Sequence, residues 1–380
     1  MRVLVDGMSA RLGGGETLLL AQMEALSRIE DLQLTIYASP RVAERLAVTC
    51  PGAAVRARLA GSLAGRVLWE QVTLPRLARH HHVVYMPGNF ALAACPRPQV
   101  VAFQNAYHFG PEGLRMGSPR QRVRIAVERI MARASMGRAA AAVVVSDSLR
   151  RAIEHDLGTL PNLRLVSGAP AITTLPAPEQ RADLQGAAVR APYALAIAHD
   201  YFHKDWDGLI ETFLEHRDLP RLVLVGRCRS HRRLHRLLAR IADADGDERV
   251  TLTGVVTGEP VRTLYADASC YVAHSRLEAF PLTPREAALH GLPVAASDIP
   301  AHRELEEVRV HFYRLGDPQT LAAAVRRAAA DGRGPSGGGQ TRTWEDNARE
   351  LAEVMRAVAQ GGRAGSASSS HGRNRERSPA

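Results

Sequence analysis

Three side chains could do chemistry together. In the stretch HSRLEAFPLTPREAALHGLPVAASDIPAHRE (274–304), Glu278 is followed eight positions later by Glu286. An apolar loop containing Pro281 lies between them. Thr283 suits a helix N-cap, Pro284 the first helical position and Glu286 the third, so Glu286 is expected to close a capping box. Gly291 and Pro293 then stop the helix. Glu278 has no such structural task. A carboxylate in a loop beside a helix N-terminus, where free amides favour anions, fits hydrogen bonding to sugar or ribose hydroxyls. The third residue is Lys204. Lys plus Arg total 49, and Lys204 is the single lysine of the chain. A compact, rotatable ammonium suits a phosphate in a way a planar guanidinium does not.

The elements that must hold these groups are legible as alternating short apolar runs and helical stripes. MRVLVDG, LQLTIYAS, HHVVYMP, PQVVAFQN and AAAAVVVSDS read as strands of a first parallel α/β unit. YALAIAH, RLVLVG, RVTLTG, CYVAHS and LPVAAS read as strands of a second. Loops that follow parallel strands lie at the carboxyl edge of the sheet, where such folds bind ligands. We therefore expect an α/β chain of two Rossmann-like, doubly wound domains. Its expected parts are an N-terminal domain over 1–175, a linker over 176–190, a second domain over 191–340, an amphipathic helix over 341–360, and a disordered tail over 361–380.

Composition narrows the function classes. At 46% hydrophobic and 23% charged, the 380 residues read as a globular protein. No apolar run reaches the roughly 20 residues of a membrane span. The four scattered cysteines and the absence of a signal-peptide layout lead us to expect a cytoplasmic protein. The net charge is +10, and segment 114–138 carries seven arginines. That segment is expected to rest on an anionic membrane, placing the protein peripherally on its inner face. A nucleic-acid-binding protein is the alternative of another class, but the arginines do not interleave with aromatics and no nucleic-acid motif appears; no nucleic-acid partner is expected.

The acidic stretch resembles the E-x7-E region of family 4 retaining glycosyltransferases of the two-domain GT-B type, which implies that the two domains face a central cleft and that the C-terminal helix crosses back to the first. That region commonly reads S-x-x-E-G-F-G-L-P-x-L-E-A-x-A-x-G-x-P-V-x-A-S, and this chain has S-R-L-E-A-F-P-L-T-P-R-E-A-A-L-H-G-L-P-V-A-A-S. The glycine loop of MRVLVDGMSARLGGGETLLL, the segment VLWEQVTLPRL and the run LTGVVTGEPVRTLYADASCYVAHS extend the likeness. VLWEQVTLPRL resembles the mannosyl- and rhamnosyltransferase-like members.

The resemblance implies a nucleotide-sugar donor, a saccharide or lipid-linked acceptor, and retention at the anomeric carbon; no DxD-type acidic pair stands in a suitable loop, so no metal or other cofactor is expected. It implies that Glu278 lies against the transferred sugar and Glu286 on the donor ribose. Lys204 matches the family's phosphate-binding lysine, and the partner arginine position falls on His199, with Arg227 as a substitute. Amides around Phe280, Leu282 and Thr283 would hold the donor, and Gly14 and Gly15 would let the N-terminal loop approach it. Where many members carry His-Asp, this chain has Gln104 and Asn105; with His108 they are expected to contact the acceptor. Ala279 and Pro281 replace loop glycines of the family. A sugar-nucleotide epimerase of the same architecture is the alternative reaction.

Overall fold

The computed structural model describes residues 1–10, 14–59, 62–172, 175, 189, 191–246, 248–305, 309–335 and 342–361. The expected linker and tail lie outside these residues except for positions 189 and 361, and so does Gly13.

The N-terminal domain opens with β1 (Arg2–Asp6), α1 (Gly14–Ser27), β2 (Gln33–Ala38), α2 (Pro40–Thr49) and β3 (Ala54–Ala57). Next come α3 (Leu63–Leu68), a π-helical turn (Trp69–Thr73), α4 (Leu74–Ala78), β4 (Val83–Met86) and β5 (Gln99–Phe103). It closes with α5 (Glu112–Arg115), α6 (Pro119–Arg138), β6 (Ala141–Val144), α7 (Asp147–Leu157) and β7 (Leu163–Leu165). The second domain runs through β8 (Tyr193–Ile197), α8 (Trp206–Glu215), β9 (Arg221–Val225), α9 (His231–Asp243), β10 (Val250–Gly254) and α10 (Glu259–Asp267). It continues with β11 (Cys270–Ala273), α11 (Leu282–Leu289), β12 (Val294–Ser297), β13 (Val310–Tyr313) and α12 (Pro318–Asp331), before α13 (Trp344–Ala359).

Each domain is one parallel sheet, ordered β3-β2-β1-β4-β5-β6-β7 and β10-β9-β8-β11-β12-β13. In both, the order reverses beside the domain's first strand, between β1 and β4 and between β8 and β11. The two loops at each reversal splay apart and leave a crevice at the carboxyl edge. The expected doubly wound architecture is the one observed. The strands missing from the sequence reading, β3, β7 and β13, all lie at sheet edges. They are short, and their side chains are largely exposed or half-buried, so they lack the apolar run of a central strand.

Apolar side chains cover both faces of each sheet. In the N-terminal domain one face packs Val3, Val5, Tyr85 and Val100 under α1, α2 and α13. The C-terminal helix does cross back: Leu351, Ala352, Met355 and Val358 are buried in that first-domain core. Asn347 donates to Ser167 O (2.7 Å) and accepts from Gln22 (2.8 Å).

The expected basic helical segment is broken. Gly117, at φ +80°, separates α5 from α6, and Ser118 and Gln121 form a capping box at the start of α6.

A buried acid pair sits at the end of β1. Asp6 faces Glu70 of the π-helical turn, and Arg66 bonds Glu70. Burial, then the Glu70 charge, push the Asp6 carboxyl up to about 7, against the pull of the Met8 amide and Arg66. A carboxyl whose folded pKa is raised favours the fold at low pH, and that contribution is lost as pH rises from 3.8 toward 7. Asp6→Asn keeps an acceptor for the Met8 amide and removes the charge. It is expected to raise the melting temperature at pH 8 by a few degrees, on the order of 1 kcal/mol, with a smaller effect at pH 5. Melting curves at the two pH values check this.

Candidate active site

The two reversal points face each other across a cleft of about 1690 Å³, lined by both domains. Lys204 lies in the loop after β8 and Glu278 in the loop after β11, the two strands that flank the second reversal. Topology therefore joins residues 74 apart: Lys204 Nζ is ion-paired with Glu278 Oε1. The side chains are 19% and 14% exposed, so the pair is shielded but still reachable from the cleft. Burial alone would raise the Glu278 carboxyl; the charge of Lys204 above all outweighs it and holds the group below its ordinary range.

The lysine loop is fixed by its neighbours. Arg233 of α9 bonds Asp200 (2.6 Å) and Asp207 (2.6 Å), one on either side of Lys204. The Arg276 amide donates to His203 O (2.7 Å), and the Arg276 side chain pairs with Asp205. Gly226 makes the approach of β9 possible, because a Cβ there would sit 1.9 Å from Ala198 O. These contacts pre-organise the ammonium and the carboxylate before any ligand arrives.

Three histidines around the pair escaped the sequence reading. His203, His274 and His302 all line the cleft. Burial pushes each down to about 4, assisted in every case by the charge of Lys204. They are neutral at pH 7 and add polarity without charge. His274 Nδ1 meets Tyr313 Oη (2.7 Å), and His302 Nδ1 meets Ser297 O (2.9 Å). Their one sequence signal was position: each follows the carboxyl end of a strand, β8, β11 or β12.

His199 is not a second cation. Its Nδ1 accepts the Arg227 amide (3.0 Å), and burial, then the charges of Arg227 and Lys204, lower its pKa. The exposed Arg227 lies on the cleft wall and can supply the positive charge instead.

The capping box does not form. Helix α11 begins at Leu282 with Pro281 at its N-cap, and no side chain caps its first amides. Thr283 Oγ1 instead accepts from Tyr271 Oη (2.6 Å). Glu286 is turned toward the first domain: Oε1 accepts the Ala171 and Ile172 amides (3.2 Å each), and Oε2 accepts Tyr265 Oη (2.8 Å). The open amides of α11 point a helix N-terminus into the cleft, a setting for an anion. Phe280 lies against Gly168 of the first domain, where a Cβ would come within 2.8 Å of its ring, and the Arg285 guanidinium sits 4.6 Å from the ring centroid.

From the N-terminal domain, Gly14, Gly15, Gln104 and Asn105 line the cleft as expected, with Gly14 at the start of α1 opposite Leu282. His108 does not. It is buried beside Phe90 and 3.4 Å from Glu128, so it cannot reach an acceptor in the cleft. Tyr107 takes the wall position, 5.8 Å ring to ring from Phe202 of the other domain. Among the described residues, no group of three or more His, Cys, Asp or Glu could hold a metal ion.

Residues 191–331 match the family model described as glycosyl transferases group 1. The match falls wholly within the second domain. That domain supplies Lys204, Glu278, the three histidines and α11. No curated protein sequence matches the chain. Solved structures match nearly all of it. HepE of Anabaena, in complex with UDP and glucose, is 17% identical over 95% of this chain and 98% of its own, with a TM-score of 0.65. Sucrose-phosphate synthase of Thermosynechococcus elongatus is 15% identical over 95% and 96%, at 0.66. WaaG, a glycosyltransferase involved in lipopolysaccharide biosynthesis, is 15% identical over 95% and 98%, at 0.60. Together with the two sheets, these similarities establish the GT-B fold.

Proposed function

We propose that the chain transfers a sugar from a nucleoside-diphosphate sugar to a saccharide hydroxyl with retention of anomeric configuration, as a family 4 enzyme. The observation that carries this reading is the Lys204–Glu278 pair at the sheet reversal, beside the uncapped start of α11. As the bond between the anomeric carbon and the phosphate oxygen breaks, its electron pair moves onto the diphosphate. Lys204, Arg227 and the α11 amides stabilise that charge by fixed electrostatics, without a metal in this reading. The acceptor oxygen bonds the anomeric carbon on the face the diphosphate leaves, and its proton passes to the departing phosphate oxygen. Glu278 stabilises positive charge developing on the sugar. Glu286 takes three protein donors, and a carboxylate offers about four acceptor sites, which leaves room for one ribose hydroxyl. The donor-bound HepE structures support a UDP-sugar as the first donor to test. The VLWEQVTLPRL segment favours a mannosyl- or rhamnosyltransferase-like member.

Incubation of the full chain with UDP-, GDP-, ADP- and TDP-sugars and saccharide acceptors tests the reading. The expected products are a nucleoside diphosphate and a glycoside with the donor's anomeric configuration, formed equally in the presence of a chelator. An inverted glycoside, an isomerised donor or no turnover with any donor would contradict it.

A further inference from the structure

Helix α6 is apolar on two sides. Inward it buries Ile125, and packs Ala132 and Met136 in the first-domain core. Outward, Val123, Val127, Ile130 and Met131 are 67%, 52%, 69% and 44% exposed. These four lie on one face, since positions three and four apart are neighbours on a helix. Single exposed apolar residues need no explanation, but a continuous stripe does. By helical spacing Arg120 and Arg138 stand at the two ends of the stripe, and Arg122 lies beyond one of its edges. Among the described residues these three arginines have no carboxylate partner, whereas Arg129 and Arg133 are paired with Asp156.

A second exposed apolar site lies on an element tied to the same helix. The neighbouring loop joins α6 to the π-helical turn, because the Ala91 amide donates to Ser135 Oγ (2.9 Å) and the Ala93 amide to Gln71 Oε1 (2.8 Å). Around that turn Leu68 and Val72 are exposed as well. Both elements pack on the same face of the sheet. The N-terminal part of α6 also reaches the cleft, which Gln121 and Arg124 line.

We infer that the outward face of α6, together with Leu68 and Val72, docks on an anionic lipid bilayer. The apolar stripe enters the headgroup boundary and the flanking arginines meet lipid phosphates. A solvated basic helix would not need the stripe, and a nucleic-acid surface would not place aliphatic side chains between its arginines. Docking brings the cleft beside the bilayer, so the acceptor is a lipid-linked saccharide. That last step rests on the proposed glycosyl transfer; the docking itself does not.

The test is co-sedimentation of the full chain, without nucleotide sugar, with phosphatidylcholine vesicles containing or lacking about one quarter phosphatidylglycerol. The chain is expected to pellet with the anionic vesicles, less so at high salt, and to stay in solution with the neutral ones. V127E/I130E and R120E/R122E each lower the partition coefficient by about tenfold or more, with melting curves and vesicle-free turnover unchanged. Equal pelleting with both vesicles, no pelleting, or variants that pellet like the parent would overturn docking. So would a salt-sensitive complex with RNA, or a concentration-dependent dimer abolished by V127E/I130E, in place of vesicle binding. Loss of turnover with intact docking would count against the transferase reading alone.

Discussion

Lys204→Ala is expected to lower sugar transfer by about a thousandfold and to leave the secondary structure unchanged. Removing one fixed charge that stabilises a leaving group costs roughly 10²–10³ in rate, and the diphosphate loses ground-state binding as well, so kcat falls and KM for the donor rises. No other lysine exists to substitute. Lys204→Arg retains the charge but not the compact ammonium, and recovers only part of the activity. The same change leaves the Glu278 carboxylate shielded and unpaired, at a cost of about 1–3 kcal/mol. The sign of the pH dependence follows from the lowered pKa of Glu278. A depressed carboxyl pKa stabilises the fold above the ordinary carboxylate range, and the contribution is lost as pH falls through the depressed value. Lys204→Ala therefore destabilises at pH 7 and much less in acid. Steady-state kinetics and melting curves at both pH values read these outcomes; unaltered turnover would remove Lys204 from the mechanism.

Glu278→Gln is expected to lower kcat by about a hundredfold or more while donor KM stays the same or falls. The amide keeps the shape of the side chain but cannot stabilise positive charge at the anomeric carbon. It also releases Lys204, whose ammonium becomes fully available to the diphosphate. The two variants thus separate: one loses binding and rate, the other mainly rate. In Lys204→Ala/Glu278→Ala no charge is left unpaired, so stability should recover relative to Lys204→Ala alone while activity does not. A double variant as unstable as the lysine single would show that the unpaired Glu278 charge is not what destabilises Lys204→Ala.

The central strands and the meeting of Lys204 with Glu278 were legible because parallel α/β topology sends strand-end loops to one edge, whatever their separation in sequence. Edge strands were harder to see, since β3, β7 and β13 have little apolar surface to announce them. Glu286 shows a limit of local pattern reading. Thr283, Pro284 and Glu286 fit a capping box, yet the helix starts at Leu282 and tertiary partners, Tyr271 for the threonine and Tyr265 with two first-domain amides for the glutamate, take both side chains. Burial is what spacing could not show for two histidines: His199 lines the cleft with its pKa lowered by burial and neighbouring charges, and His108 is enclosed in the core. The ring of His203, His274 and His302 and the Asp6–Glu70 pair depend on distances that no spacing in the sequence encodes.

The claim that the Lys204–Glu278 cleft binds the nucleotide diphosphate of the donor is tested most directly by calorimetric titration of UDP, GDP, ADP and TDP into the full chain and its variants. The account predicts saturable binding of at least one nucleotide, weakened about tenfold or more by Lys204→Ala and retained in Glu278→Gln. Equal affinity in the parent and in Lys204→Ala, or no binding of any nucleoside diphosphate, would contradict it.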